Sequence, residues 1–293
     1  MGEEIASQPA AWATARDRLP EWQPLLPAPG ERVAAVGCGT SWFMAEAYAR
    51  LREGRGLGET DFFTASEFPI GRGYDRIVAI SRSGTTTEVL QLMDQAASPT
   101  VAITTSASTP IAEAATASIV LDFADEQSVV QTLFATTALM TLRASLGESI
   151  DGAVAQARRV LDEPVADELN GVDQFTFLGQ GWVHGLAREA ALKMREAAQV
   201  WTESYPQMEY RHGPIAIAQP GRAVWILGSP VSGIVADAAE AGATVIQHPD
   251  TDPVAELIRI QRLAGRLAEL RGLDVDHPRH LTRAVVLTGQ SAS

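Results

Sequence analysis

Short apolar runs recur along the chain, separated by stretches in which apolar residues return every three or four positions. The first kind reads as buried strand, the second as amphipathic helix. Strands are predicted at 33–36, 62–65, 77–80, 100–104 and 119–121. Helical patterns lie between them at 42–53 and 86–97. Ahead of these, residues 3–19 read as a short amphipathic helix, and Pro20, Pro24, Pro27 and Pro29 as a link to the first strand. Two long helices are expected at 125–146 and 151–169, broken at Gly147. The pattern then restarts, with strands at 175–178, 224–227 and 244–247 and helices at 182–200, 231–241 and 253–271. Such alternation predicts an α/β protein with parallel, doubly wound sheets. The restart predicts an internal duplication, with a boundary near residues 160–172.

Composition narrows the function classes. A chain of 293 residues with 46% hydrophobic content can build one large or two small cores. It has no apolar run of about 20 residues, so no membrane span is expected. The opening Met1-Gly2-Glu3-Glu4 is acidic and unlike a secretory signal, which makes the expected location cytoplasmic. A net charge of −13 argues against nucleic acid as a partner. It also means that an anionic ligand has to be held by local donors. Cys38 is the single cysteine, so neither an intrachain disulfide nor a cysteine metal cage is expected. No histidine pair shows metal-ligand spacing, and no metal or cofactor is predicted. Among 23 basic residues apart from histidine, only Lys193 is lysine. A lone lysine in an arginine-using chain points to a place where a compact ammonium is needed.

Two strand ends carry donor-rich turns. Ile77–Ile80 runs into Ser81-Arg82-Ser83-Gly84-Thr85-Thr86-Thr87 and then a helix start, and Val33–Val36 into Gly37-Cys38-Gly39-Thr40-Ser41. Free N–H groups of a first helical turn, the helix dipole and hydroxyl donors together favour an oxyanion such as phosphate. Gly84 would let the backbone approach the ligand closely. No Gly-Lys-Ser/Thr follows, so neither turn is a Walker loop. Farther on, Glu189, Lys193 and Glu196 stand at i, i+4 and i+7 and share one helix face. Such spacing ordinarily marks a solvated face with modest ion pairs.

Taken with Trp201-Thr202-Glu203-Ser204-Tyr205-Pro206 and Glu209-Tyr210-Arg211-His212-Gly213-Pro214, these motifs resemble the sugar isomerase (SIS) domain family. More narrowly, the chain is similar to the isomerase half of glucosamine-6-phosphate synthase. It also resembles that enzyme's relatives, the aminosugar-phosphate deaminase/isomerases and fructosamine-6-phosphate deglycases. The resemblance runs from about residue 33 to 286. It implies two SIS domains, each a parallel doubly wound sheet sandwiched by helices: 1–30 as N-terminal helix and linker, 31–165 as the phosphate-binding domain, and 166–293 as the second domain with a C-terminal tail.

The resemblance also implies roles. Glu196 falls where relatives keep the carboxylate that moves a proton between C1 and C2, and His212 where they keep the ring-opening histidine. Glu189 and Lys193 fall on pocket residues that hold the reacting hydroxyls and tune the base. Gly39, Thr40, Ser41, Ser81, Arg82, Ser83, Gly84 and Thr86 fall on the substrate- and phosphate-binding turns. A carboxylate suits reversible proton transfer if partly desolvated, and histidine suits ring opening near neutral pH. The segment Asp276-His277-Pro278-Arg279-His280-Leu281 is similar to the family's tail, which returns to close the site. Relatives commonly have lysine where Arg283 stands, and arginine neither forms an imine nor shuttles a proton readily; Arg283 would hold substrate electrostatically. The residues before the first strand are too few for a glutamine-hydrolysing domain, so glutamine-dependent synthesis is not expected of this chain. The implied substrate is a phosphorylated sugar or amino sugar, and the implied assembly a homodimer whose His-Gly-Pro histidine reaches the neighbouring subunit's site. Isomerisation coupled to deamination or amine release, plain aldose–ketose isomerisation, and a non-catalytic phosphosugar sensor all stay open.

Overall fold

The computed structural model describes residues 1–287. A first helix, α1 (Gly2–Trp22), precedes β1 (Val33–Gly37), α2 (Thr40–Gly54), β2 (Thr60–Thr64), β3 (Arg76–Ile80), α3 (Thr87–Gln95), β4 (Thr100–Thr104), α4 (Pro110–Ala114) and β5 (Ala117–Val120). The five strands form one parallel sheet in the order β2-β1-β3-β4-β5. Two helices follow, α5 (Leu133–Ser145) and α6 (Asp151–Asp162). Then come β6 (Gln174–Gly179), α7 (Val183–Ala198), β7 (Trp201–Pro206), β8 (Arg222–Ile226), α8 (Ile234–Glu240), β9 (Thr244–Gln247) and α9 (Pro253–Leu270). Their strands make a second parallel sheet, ordered β7-β6-β8-β9.

Three cores explain the unbroken apolar runs. Alternate residues of β1 and β3 enter opposite cores: Val33, Ala35, Val78 and Ile80 face a large central one, and Ala34, Val36, Ile77 and Ala79 an outer one. The second sheet does the same, with Phe175, Phe177 and Trp225 turned to the central core and Leu178, Val224 and Ile226 to a third. A parallel sheet covered on both faces has no polar face to encode. Helix α5 lies in the middle, and all but the last of its residues are buried.

Several expected elements differ from the structure. The long helix at 125–146 begins only at Leu133, because the Glu126 carboxylate turns back and accepts the N–H groups of Thr132 (2.8 Å), Leu133 (3.0 Å) and Phe134 (3.4 Å). Residues 125–132 are therefore a capping loop. The helix expected at 151–169 stops at Asp162, since Pro164 disfavours the helical conformation of the residue before it. Strand β7 escaped the apolar pattern: it is a partly exposed edge strand that reads Thr-Glu-Ser in its middle. Helix α8 starts at Ile234 because Gly233 takes a positive φ of 79°. Helix α1 runs on to Trp22 with Pro20 inside it.

Candidate active site

In the first sheet the chain runs from β1 outward to β2, then returns to the other side for β3. The crevice at the carboxyl ends of β1 and β3 is thus a topological switch point, the usual ligand site of open α/β sheets. Both donor-rich turns stand there. Gly37 is required by geometry, because a Cβ on it would lie 2.6 Å from the Ser41 carbonyl carbon. That contact forces the abrupt change from strand to helix, with Gly39 at φ 56° as the residue before α2. In the second turn Ser81 Oγ accepts from the Gly84 N–H (3.2 Å) and Ser83 Oγ from the Thr85 N–H (3.3 Å). Each hydroxyl keeps its own proton to donate. Gly84 is close-packed for another reason than the expected ligand approach: its φ is 61° and a Cβ there would meet Thr109 at 2.4 Å.

The second sheet repeats the construction and then closes it. A Cβ on Gly179 would meet the Val183 carbonyl at 2.4 Å, as at Gly37. But Gln207 occupies this second switch point, donating to the Ser229 carbonyl (3.0 Å) and accepting from the Val231 N–H (2.7 Å). The first crevice holds an open cavity.

Helix α7 crosses to that crevice. Gly185 lets it pack on α2, since a Cβ would sit 2.6 Å from the Phe43 carbonyl oxygen. Glu46 of α2 reinforces the seam by accepting from His184 Nδ1 (2.7 Å) and Arg188 (2.6 Å). So His184 is a structural residue. The charged face of α7 is buried rather than solvated. The side chains of Glu189 and Lys193 are 1% and 0% exposed, while Glu196 keeps 19%. The Lys193 ammonium donates to Glu196 and lies 3.5 Å from Glu189. Burial is the largest influence on Glu189 and pushes its carboxyl up to about 8; the Lys193 charge opposes this and that of Glu196 adds to it. Burial also disfavours the Lys193 ammonium, but Glu189 and Glu196 overcome it and hold the group above its ordinary value. Two carboxyls share one ammonium, so near pH 7 Glu189 keeps its proton and Lys193 balances Glu196.

The resulting cleft has two joined parts. One, of about 180 Å³, is lined by Gly39, Thr40, Thr86, Lys193 and Glu196 and walled by residues 281–285 of the tail. The other, of about 30 Å³, is lined by Ser41, Ser81, Arg82, Ser83 and Thr86. Cys38, Gln131 and Arg283 touch both. The structure therefore brings together the two turns, Lys193 and Glu196, with Glu189 beneath. Two further residues have particular settings. The Arg82 guanidinium is buried and spends its N–H groups on the carbonyls of Ser128 (2.7 Å) and Arg283 (2.8 Å), so it braces the capping loop and tail. His212 is exposed on a short 3-10 turn and lines neither part of the cleft in its own chain. Arg283 itself donates to the Glu126 carbonyl and to Asp125. Sequence reasoning missed Val129 and Gln131, both cleft residues, because it placed them in a helix. The polar run Asp125-Glu126-Gln127-Ser128 was the available sign of a helix cap. Among the described residues no group of three or more His, Cys, Asp or Glu is arranged to hold a metal ion. No helix of the described residues is long and apolar enough to cross a membrane.

No family model matches the chain. Similarity to named proteins is extensive. Glutamine–fructose-6-phosphate aminotransferase [isomerizing] of Aeropyrum pernix is 29% identical over an alignment covering 98% of this chain and 57% of the relative. That of Methanothermobacter thermautotrophicus is 27% identical at the same two coverages. The glucosamine-6-phosphate deaminase structure from Thermotoga maritima superposes with a TM-score of 0.81 at 25% identity, covering 97% of this chain and 99% of that one. Over nearly its whole length the chain is therefore similar to phosphosugar-processing proteins. Tagatose-6-phosphate ketose/aldose isomerase from Escherichia coli has the same fold at TM-score 0.80, with 18% identity and coverages of 99% and 96%. The chain spans little more than half the length of the aminotransferases it matches.

Proposed function

We propose that the chain is a phosphosugar isomerase/deaminase acting on an amino-sugar or fructosamine 6-phosphate. One observation carries this reading: Lys193 and Glu196 from α7 line the same cavity as Gly39, Thr40 and Thr86 of the two donor turns. The phosphate sits among the Ser81, Ser83 and Thr86 hydroxyls at the start of α3, and the carbonyl end of the sugar lies beside Glu196. Glu196 takes the proton from one of C1 and C2 and returns it to the other through an enediol or enolamine. For an N-substituted substrate this converts the ketoamine into a carbon–nitrogen double bond at C1. Water adds across it and the amine leaves, with no redox change. Lys193 neutralises Glu196 before the transfer and the enolate oxygen during it.

Each sheet with its helices is read as one SIS unit, 31–165 and 166–293, with 1–30 as helix and linker; the end of the second, 288–293, lies outside the described residues. Exposure of His212 away from its own cleft supports a homodimer in which a second copy supplies it for ring opening. The test is ammonia or amine release from glucosamine-, galactosamine- and fructosamine-6-phosphates, beside a coupled isomerase assay on unaminated phosphosugars. Release is expected, and Glu196→Gln should lower it about 10²- to 10⁴-fold. Full activity in that variant would remove the proposed base.

A further inference from the structure

We propose that the cavity enclosed by α1, the end of α6 and α9 binds a small amphipathic carboxylate, a ligand distinct from the phosphosugar. The inference goes beyond the phosphosugar reading and does not rest on it. The cavity measures about 530 Å³ and shares no lining residue with the cleft. That volume lies in the range of small-ligand sites. One wall is α9, where Gly265 stands in the interior of an 18-residue helix. A glycine at such a position costs stability relative to alanine. Packing gives no reason for it, since nothing lies within 4 Å of a Cβ placed there. The missing side chain leaves the cavity open over α9.

Two donors give the cavity its chemistry. Gln261 lines it and is fully buried. Its amide oxygen accepts from Gln8 Nε2 (2.7 Å), but its amide nitrogen is buried with two protons and no acceptor among the described residues. A buried amide without a partner costs free energy that a ligand oxygen would recover. Arg262, the next residue, donates from one nitrogen to the Val160 carbonyl (2.6 Å) and forms no ion pair among the described residues. Burial and the charge of Arg259 hold its guanidinium below its ordinary value, against Glu163 and Asp162. An uncommitted guanidinium beside an unpartnered amide can take the two oxygens of one carboxylate. The other charged side chains of the lining, Arg266 and Glu269, pair with each other at 3.1 Å. Ile5, Leu161, Val165 and Val275 supply an apolar wall that suits an alkyl or aryl body. Val275 also sets the cavity at the root of the tail. Asp276 after it accepts from Ser128 Oγ (2.7 Å), and the Ser128 carbonyl accepts from Arg82 (2.7 Å). A ligand packed on Val275 therefore braces the segment that walls the cleft.

The test titrates the full chain with octanoate and with octan-1-ol by calorimetry, in the wild type, Arg262→Gln and Gly265→Leu. Octanoate should bind the wild type about tenfold more tightly than octanol, and Arg262→Gln should cut that ratio about fivefold, the scale of a charge-assisted hydrogen bond. Gly265→Leu fills the cavity and favours the helix, so it should unfold at no lower temperature than the wild type and bind octanoate at least about tenfold more weakly. Hydrogen exchange of residues 273–285 should slow when octanoate is bound. Absence of octanoate binding overturns the proposal, and a second copy covering the cavity would give that result. Equal affinities for the two probes, or undiminished binding in a folded Gly265→Leu, also overturn it. Unchanged exchange of the tail would remove its link to the cavity. Phosphosugar binding on the same samples reads the other proposal separately, and its survival or loss leaves these outcomes as they stand.

Discussion

At the scale of single residues, the account turns on one buried ammonium between two carboxyls. Glu189 is held protonated up to about pH 8, chiefly by burial, whereas the ordinary carboxyl value is 4.5. Between those limits the folded chain binds a proton that the unfolded chain has lost. Its contribution is therefore fully present at low pH and declines as pH rises through that window. Thermal unfolding of the wild type should lose more stability from pH 5 to pH 8 than Glu189→Gln does. An equal slope in both would contradict the shift. The same ionisation adds a second negative charge beside Glu196, so kcat/KM should fall above about pH 8, and Glu189→Gln should remove that limb. The lone lysine was readable from composition, and its burial follows from the charge it must balance. What spacing alone could not give was the burial of the face: i, i+4, i+7 charges look the same on a solvated helix. Here the α2–α7 seam, closed at Gly185, decides it.

At the scale of elements, two glycines make the same turn with different consequences. Gly37→Ala and Gly179→Ala each push a methyl to within 3 Å of backbone, at Ser41 and Val183. Each should cost about 1–3 kcal/mol in urea unfolding, the usual penalty of overpacking. Gly37→Ala should also weaken phosphosugar binding, because it moves the Thr40 and Ser41 donors. Gly179→Ala should leave binding by its folded fraction near the wild-type level, since Gln207 fills that crevice. Equal loss of binding in both would contradict the division of labour between the sheets. Most strands of the two sheets were legible as apolar runs because both faces of each sheet are covered. Edge strand β7 was not, because its pairing to β6 is backbone-to-backbone and its side chains half-exposed. The capping loop at 125–132 was lost for a related reason: its stop signal is the long-range burial of Glu126 beside Arg82, 3.7 Å apart.

At the scale of the whole molecule, the cleft draws on residues distant in sequence, and its proposed histidine on a second chain. Mixing Glu196→Gln with His212→Asn subunits checks that arrangement. If each site takes Glu196 from one copy and His212 from the other, a mixed dimer has one site with both residues intact. Random mixing should then restore about a quarter of wild-type activity from two inactive parents, as a two-fold dimer requires. No recovery, with dimers exchanging, would place His212 outside the reaction. The tail belongs to this scale too: it walls the cleft and is held by Arg82 on the Arg283 carbonyl and by Thr87 on the Val285 carbonyl (3.2 Å). Its sequence resembled the family's closing segment, but its anchoring through Arg82, a residue expected at the phosphate, had no sequence sign.

Hydrogen exchange into the sugar reads the proposed proton transfer itself, whatever amine is attached and whichever direction is favoured. A panel of ketose, aldose and amino-sugar 6-phosphates is incubated with the protein in deuterated water, and the C1 and C2 positions are followed by proton NMR. The account predicts deuterium at C1 or C2 with the wild-type chain and at least about a hundredfold slower incorporation with Glu196→Gln. Incorporation at the wild-type rate in that variant, or none from any bound phosphosugar, would contradict it.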